Sequence, residues 1–236
     1  MKRKLTFILF FFTFLPILSF GQILIGMKGG YNFSVPLENS NEKSYSDADL
    51  WITQNSYLIS GFFKSRIQNK IFNWGAEVEY YNIGLSGHQT AGGLGAGTIY
   101  NYNFILHNLN LILKPEFVFG SRWKFIINTG AFVGILLNVS TTGDWKTYGP
   151  PPITTGEIDE TKNHYFSILN FGLLGGIGTE FPISNRLIIN LEANCTIGIT
   201  NLAKPLSSVF FNLLNLQLSA GLAYKINCTS KRDKEK

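Results

Sequence analysis

The fold is decided by a stretch near the beginning of the chain, residues 23–35, which reads ILIGMKGGYNFSV. Apolar side chains hold most of its odd-numbered positions, from Ile23 and Ile25 to Phe33 and Val35, whereas small or polar side chains hold most of its even-numbered positions. Because successive side chains of a β-strand point to opposite faces of a sheet, this alternation predicts a strand with one apolar and one polar face.

Seven further stretches alternate in the same way, so the sequence predicts eight strands in all. Their approximate ranges are 23–35, 56–67, 71–84, 100–119, 125–137, 164–181, 186–200 and 209–226. In the fourth stretch the apolar side chains change from even-numbered to odd-numbered positions near His107. This change of phase predicts a β-bulge at that point.

The connections between these strands alternate between long and tight. The long ones cover about 36–55, 85–99, 140–163 and 201–208, and the tight ones lie at 68–70, 120–121 and 182–185. Membrane barrels have short periplasmic turns and longer external loops. We therefore predict an all-β fold, an eight-stranded antiparallel up-and-down transmembrane β-barrel with a polar lumen and with both ends of the chain in the periplasm.

Aromatic side chains near the strand ends add to this prediction, since aromatic rings favour the two membrane interfaces. The external girdle is predicted to contain Tyr31, Phe33, Tyr80, Tyr81, Tyr100 and Tyr102, and the periplasmic girdle Phe72, Trp74, Trp123, Phe125, Phe181 and Tyr224. The alternative is a set of ordinary core aromatics in a soluble β-sandwich.

The first 21 residues have the pattern of a secretory signal peptide. Basic residues at 2–4 precede an apolar run at 5–14, and small residues before Gln22 predict cleavage after Gly21. The run is shorter than the roughly 20 residues that a spanning helix needs, so a retained membrane anchor is the weaker alternative. The predicted organisation is a signal peptide at 1–21, an outer-membrane β-barrel at 22–227 and a hydrophilic periplasmic tail at 228–236.

Composition and charge restrict the class of protein. Charged residues make up 15% of the chain and aromatic residues 14%, and soluble domains usually contain about 25% charged residues. The formal net charge of +5 arises from the signal and the tail, so the predicted barrel is nearly neutral and we expect no nucleic-acid partner.

Several stretches resemble the outer-membrane β-barrel (porin-like) protein family of Bacteroidota-type Gram-negative bacteria. Residues 26–34 resemble its opening strand, and residues 61–63 and 75–81 resemble its second hairpin, in which an acidic residue precedes an aromatic pair. Further similar stretches are 108–114, 130–137, 172–178 and 194–201. Asn194-Cys195 stands where the family often has an Arg-Tyr pair, so a lumen cation of that family is missing. The resemblance implies the cell outer membrane as location and supplies no catalytic residues.

Charged residues on the predicted polar face are the candidate site. They are Lys28, Lys64, Glu77, Glu79, Lys114, Lys124, Glu180, Glu192 and Lys225. Side chains can fill the interior of an eight-stranded barrel, and isolated buried charges are costly, so these groups are expected to pair. We predict a salt-bridged plug that fills the lumen, with an ion path or a binding site as the alternative.

We expect no enzyme activity, catalytic residue, metal or cofactor. His88, His107 and His164 have no spacing typical of metal ligands. His164 lies near Ser167, and such a pair at a barrel rim leaves open a lipid A-modifying enzyme as an alternative function. A soluble lipocalin-like binding barrel, with its apolar face pointing inward, is a further alternative.

The expected role is that of a membrane scaffold, a surface-interaction protein or at most a narrow pore. The expected partners are outer-membrane lipid and an extracellular partner that contacts the loops at 36–55, 85–99 and 140–163, and the barrel is expected to be a monomer. The two cysteines are predicted to remain free. Antiparallel pairing of the last two strands places Cys195 near Asn215, and Cys228 lies on the order of 40 Å further along at about 3.3 Å per residue, beyond the roughly 7 Å limit between disulfide-bonded Cα atoms.

Overall fold

The computed structural model describes residues 21–39, 48–54, 56–67, 71–93, 96–149, 153–161, 167–200 and 210–227. These parts contain ten β-strands: β1 (Gly21–Asn39), β2 (Ala48–Gln54), β3 (Ser56–Ile67), β4 (Phe72–Gly93), β5 (Ala96–Phe119), β6 (Lys124–Tyr148), β7 (Thr155–Thr161), β8 (Leu169–Pro182), β9 (Leu187–Gly198) and β10 (Phe210–Asn227). Within the described residues there is no helix of sufficient length and apolarity to cross a membrane.

Eight of these strands close into a ring in the order β1-β3-β4-β5-β6-β8-β9-β10, and β10 pairs with β1. Every pairing is antiparallel, as in the pair of Gly29 with Ala220 between β1 and β10. The predicted all-β, eight-stranded antiparallel barrel is therefore confirmed. The remaining strands, β2 and β7, lie outside the ring and pair with β4 and β6.

Short connections join β3 to β4, β5 to β6 and β8 to β9 at one end of the barrel, which we call the turn end. Residues 21 and 227 also lie there, because Gln22 pairs with Asn227. The turn after β5 contains Gly120, which has a φ of +94°. A Cβ atom at Gly120 would lie 2.2 Å from the Trp123 carbonyl oxygen, so this tight turn requires glycine. The opposite end is called the loop end.

The predicted loops at the loop end are wrong in extent, because strands continue into them. β4 continues to Gly93 and β5 begins at Ala96, so most of 85–99 is a β-hairpin. Likewise β2 occupies part of 36–55, and β6 and β7 occupy much of 140–163. The predicted sixth ring strand also begins later, since residues 167–168 precede β8 and are not in a strand. The predicted signal peptide, the tail, the turn at 68–70 and the loop at 201–208 lie outside the described residues, except for Gly21.

The register between β5 and β6 is irregular where the bulge was predicted. His107 pairs with Asn138 and Asn108 pairs with Leu136, so Leu137 of β6 is the extra residue. The inward positions of β5 nevertheless stay even-numbered on both sides of His107. The irregularity is confirmed, but the apolar residues change phase in β5 because the lumen itself becomes apolar there, and the extra residue belongs to the neighbouring strand.

The outer face of the ring is apolar. Met27, Tyr31, Val133, Leu218 and Leu222 are between 40% and 64% exposed on this face. A lipocalin-like barrel would bury its apolar face inside, so this arrangement contradicts the soluble alternative. Cys195 is a free, exposed cysteine on the same face and pairs with Leu216, one residue from the predicted partner.

Candidate functional site

A charged layer fills the lumen near the turn end. Four cations and four carboxylates form it, and each side chain is at most 5% exposed: Lys28, Lys64, Arg66, Lys114, Glu77, Glu116, Glu180 and Glu192. They come from β1, β3, β4, β5, β8 and β9, whose inward positions meet in the barrel interior. The layer is electrically balanced, as buried charges require.

Glu192 is the centre of this layer because its carboxylate contacts three lysines. The nearest nitrogen–oxygen distances are 2.5 Å to Lys28 and 2.8 Å to Lys64. The corresponding distance to Lys114 is 2.9 Å. Glu77 links two of the same lysines, at 2.9 Å from Lys28 and 2.7 Å from Lys114. A single anion thus joins strands on opposite sides of the ring.

The second half of the layer lies closer to the turn end. Lys64 is 3.2 Å from Glu116 and 3.4 Å from Glu180. Arg66 is 2.8 Å from Glu116 and also pairs with Glu180 through its other terminal nitrogen. Lys64 therefore connects the two halves of the layer, since it contacts Glu192 as well as Glu116 and Glu180.

Six of the nine predicted site residues meet in this layer, and three lie apart. Glu79 is buried and accepts a hydrogen bond of 2.9 Å from Gln217 Nε2. Lys124 and Lys225 are only partly buried near the turn end, and neither takes part in an ion pair within 4.0 Å among the described residues.

Sequence reasoning missed two members of the layer, Arg66 and Glu116. Each lies two residues from a predicted member, Lys64 or Lys114, on the same face of the same strand. Continuing the two-residue alternation to the strand end would have found both.

Amide and hydroxyl side chains form the next layer toward the loop end. Asn128 Nδ2 donates to Asn194 Oδ1 at 3.1 Å, and Asn215 Nδ2 donates to Thr196 Oγ1 at 3.0 Å. Ser34 Oγ donates to Asn215 Oδ1 at 2.6 Å. These bonds join β9 to β10, β10 to β1, and β6 to β9 across the intervening β8, and they satisfy buried polar groups.

The lumen is apolar at the loop end, so the predicted polar lumen holds only nearer the turn end. A cluster of side chains at most 4% exposed lies there: Leu58, Tyr81, Ile83, Leu85, Leu106, Leu136, Val139 and Leu213. Tyr81 belongs to this cluster, and Tyr100 and Tyr102 hold inward positions on β5, so the prediction that these three rings are part of the external girdle is wrong. The interior therefore holds a charged layer, an amide layer and this apolar cluster, together with two smaller apolar clusters that contain Leu24 and Ile112, and we call their sum the lumen plug.

Beyond this level, β4, β5 and β6 continue as an open sheet. Together with β2 and β7, residues 82–93, 96–107 and 138–148 form what we call the extended sheet. Each side of its β4–β5 hairpin spans 12 residues, or about 40 Å of strand at roughly 3.4 Å per residue.

The polarity of the two faces inverts where the extended sheet begins. Below the paired row Asn82, His107 and Asn138, outward side chains of these strands are mainly apolar, as Val78 and Leu109 are. Above that row, outward side chains are mainly polar and inward ones aromatic or aliphatic. The change of phase in β5, interpreted from the sequence as a bulge, reflects this inversion of the two faces.

The outer face of the extended sheet carries cross-strand hydrogen bonds. His88 Nδ1 lies 2.8 Å from Asn101 Oδ1, and Asn101 Nδ2 donates to Asp144 Oδ2 at 3.0 Å. Ser86 Oγ donates to Asn103 Oδ1 at 2.8 Å. Such a face is suited to water and not to hydrocarbon.

The histidines do not form a metal site in the described residues, which contain no group of three or more His, Cys, Asp or Glu side chains able to hold a metal ion. His107 Nδ1 lies 2.6 Å from Tyr80 Oη on the outer face. Ser167 Oγ donates to the Leu169 carbonyl oxygen at 3.2 Å. His164, its proposed partner at the rim, lies outside the described residues.

Comparison with known proteins gives one family. Residues 17–204 match the sequence model described as outer membrane protein beta-barrel domain. No curated protein matches the sequence.

Among solved structures, the chain is similar to Ail, the attachment invasion locus protein of Yersinia pestis, at 12% identity and a TM-score of 0.34, covering 88% of this chain and 99% of that one. OprG from Pseudomonas aeruginosa has 12% identity and a TM-score of 0.41, covering 89% of this chain and 97% of that one. Neisserial surface protein A has 12% identity and a TM-score of 0.43, covering 87% and 97%. These likenesses are too distant to bear on function.

Proposed function

We propose that this chain, which belongs to the outer membrane protein β-barrel domain family, is a non-enzymatic surface-interaction protein whose lumen is closed and whose extended sheet meets extracellular partners. The family places it in the cell outer membrane. The inversion of face polarity at the row Asn82, His107 and Asn138 is the observation that carries the proposal.

The apolar belt has the height of a membrane barrel. On β5 the outward positions from Phe119 to Leu109 span 11 residues, and a tilted transmembrane strand needs about 9–11. Aromatic rings cluster at the turn-end edge of this belt, where Phe72 lies 5.4 Å from both Trp74 and Phe117 between ring centroids. The polar row above Leu109 then marks the other edge of the belt.

The turn end is assigned to the periplasm and the extended sheet to the outside, since membrane barrels have short periplasmic turns. In this orientation the barrel is a monomer surrounded by lipid, and residues 21 and 227 both lie on the periplasmic side. The sheet then projects about 40 Å of strand into the medium at roughly 3.4 Å per residue, with its polar face outward.

The lumen plug argues against conduction. Each charged group of the layer is buried and lies within 4.0 Å of an opposite charge, and the cluster above it includes Leu85, Leu106 and Val139, all of which are 0% exposed. An ion crossing this apolar layer would lose its hydration without gaining a partner, which is very costly. We therefore favour surface interaction over a narrow pore.

Two measurements test this proposal. On intact cells, protease should cleave within residues 144–160 and leave residues 68–70 intact, and purified protein in planar bilayers should show no steady current. Cleavage at 68–70 in intact cells would show that the barrel has the opposite orientation. A stable conductance would show that the lumen is open and would favour transport over surface interaction.

A matched variant then tests the role of the extended sheet. Replacing residues 87–102 by an Asn-Gly turn removes the tip of the β4–β5 hairpin and leaves the lumen plug in place. The shortened barrel should fold, as judged by its heat-dependent mobility on gels, and cells that carry it should lose adhesion to surfaces that bind wild-type cells. Unchanged adhesion would contradict the proposal.

A further inference from the structure

We propose that the inner face of the extended sheet binds neutral glycans, by stacking of sugar rings on Tyr100 and Trp145. The inference deepens the proposed function, on which it rests, by naming the class of partner. It is carried by the geometry of the aromatic side chains, by the glycines beside them and by the segregation of charge between the two faces.

A row of aromatic rings rises along β5 from the lumen plug. Phe104 packs against the apolar cluster of the plug. Tyr102 stacks on Phe104, with ring centroids 5.8 Å apart and planes at 29°. Tyr100 stacks on Tyr102 at 5.8 Å with nearly parallel planes, at 8°. The row therefore fixes the orientation of Tyr100, which is partly exposed at its upper end.

Trp145 extends this row sideways onto β6. It pairs with Tyr100 across β5 and β6, and with Gly156 across β6 and β7. A Cβ atom at Gly156 would lie 2.4 Å from the indole nitrogen and 2.6–2.7 Å from two ring carbons, so the indole lies directly over the Gly156 backbone. Any larger residue would lift the indole from the sheet.

Glycines also clear the space beside the row. Tyr102 pairs with Gly87 on β4 and with Gly143 on β6. Neither neighbour has a side chain to stand beside the phenol ring. The aromatic rings thus stand beside bare backbone, and this leaves room for flat ligands with an apolar face.

By register Glu160 holds an inward position opposite Thr141, nearer the lumen plug, and the other charged positions of the extended sheet lie on its outer face. Among the side chains that the structure describes there, His88, Asp144, Lys146, Glu157 and Asp159 all occupy outward positions. The inward positions around Tyr100 and Trp145 hold Thr98 and Thr147, whose hydroxyl groups are polar but uncharged, and Thr147 Oγ1 accepts a hydrogen bond of 2.8 Å from the Thr154 backbone N–H. Around Tyr100 and Trp145, an anionic or cationic polymer would find no counter-charge among the described side chains.

A neutral glycan matches these properties. The C–H face of a pyranose ring is apolar and packs on an aromatic ring, while its hydroxyl groups pair with the phenol hydroxyl, the indole N–H and threonine hydroxyls. A nucleic acid or a sulfated glycan would need cations on the same face, and the described side chains of this face supply none.

The test uses the full barrel in lipid nanodiscs and three neutral hexasaccharides as probes: maltohexaose, cellohexaose and laminarihexaose. Binding is measured by calorimetry and by tryptophan fluorescence, with a heparin hexasaccharide as the charged probe. At least one neutral probe should bind, and Trp145→Ala and Tyr100→Ala should each weaken its affinity at least fivefold.

The matched control is Tyr148→Ala, because Tyr148 is an exposed aromatic on the outer face of the same strand. Its affinity for the neutral probe should equal that of wild type. No binding of any neutral probe at 10 mM, binding of heparin alone, or equal binding by all variants would overturn the inference. If the inference fails while residues 144–160 are cleaved on intact cells and no current flows, surface interaction still stands and only the class of partner is wrong.

Discussion

Replacing Glu192 by glutamine tests the charge balance of the lumen plug most directly. The substitution keeps the size of the side chain and removes one negative charge. Three lysine nitrogens, those of Lys28, Lys64 and Lys114, lie 2.5–2.9 Å from this carboxylate. After the change, four buried cations face three carboxylates.

The size of the effect follows from two opposing contributions. A pair of unit charges about 3 Å apart interacts by roughly 5 kcal/mol at an effective dielectric constant of about 20. Removing the carboxylate also removes its own desolvation cost, which is several kcal/mol. The loss of one partner from a buried pair costs about 3–5 kcal/mol in other proteins. With three lysines affected, we expect a loss at the upper end of that range.

The assay is equilibrium unfolding in urea of the barrel folded into lipid vesicles, followed by tryptophan fluorescence. Glu157→Gln is the matched control, since Glu157 is exposed on β7, and its effect should stay within about 0.5 kcal/mol. The double variant E192Q/K28M removes one cation as well and restores the balance. It should recover about 1 kcal/mol or more of the loss through coupling. Equal stability of E192Q and E157Q would refute the assignment of a paired charged layer.

Two further predictions concern the outer face of the barrel. Leu218→Arg should lower the free energy of unfolding in vesicles by about 2–4 kcal/mol, which is the cost of an arginine near the membrane midplane. Ile153→Arg is the control, because Ile153 is exposed outside the barrel wall. If both substitutions are tolerated equally well, Leu218 does not face lipid. A hydrophilic maleimide should label Cys195 only after denaturation, because the exposed thiol lies on the apolar face. Rapid labelling of Cys195 in intact membranes would show that this face of β9 does not contact lipid.

The ring of strands could be predicted because its signal is local. A two-residue period identifies a strand wherever one face is apolar and the other polar, and this holds through most of β1, β9 and β10, with Leu24, Ile188 and Leu213 as inward exceptions. The register of the last hairpin also followed from the loop position, which is why the observed partner of Cys195 is Leu216, one residue from the predicted Asn215.

The contents of the lumen were only partly predictable. Inward positions in β3 and β4 could be assigned from parity alone, which gave Lys64 and Glu77. Which charges meet depends on the shear of the closed barrel, a property of all eight strands together. Parity therefore cannot tell that Glu192 contacts three lysines, or that Glu79 instead accepts a hydrogen bond from Gln217.

In the extended sheet, the alternating pattern predicted loops where strands continue. Tyr102, Phe104 and Leu106 share even positions with Asn108 and Asn110, so inward side chains pass from apolar to polar without any break in the strand. A strand that leaves hydrocarbon for water must exchange the polarity of its outer face, and its inner face becomes apolar when it continues over an apolar core. A reversal of parity within one uninterrupted alternating stretch thus predicts a membrane boundary, whereas a bulge alone changes the register without exchanging the two environments.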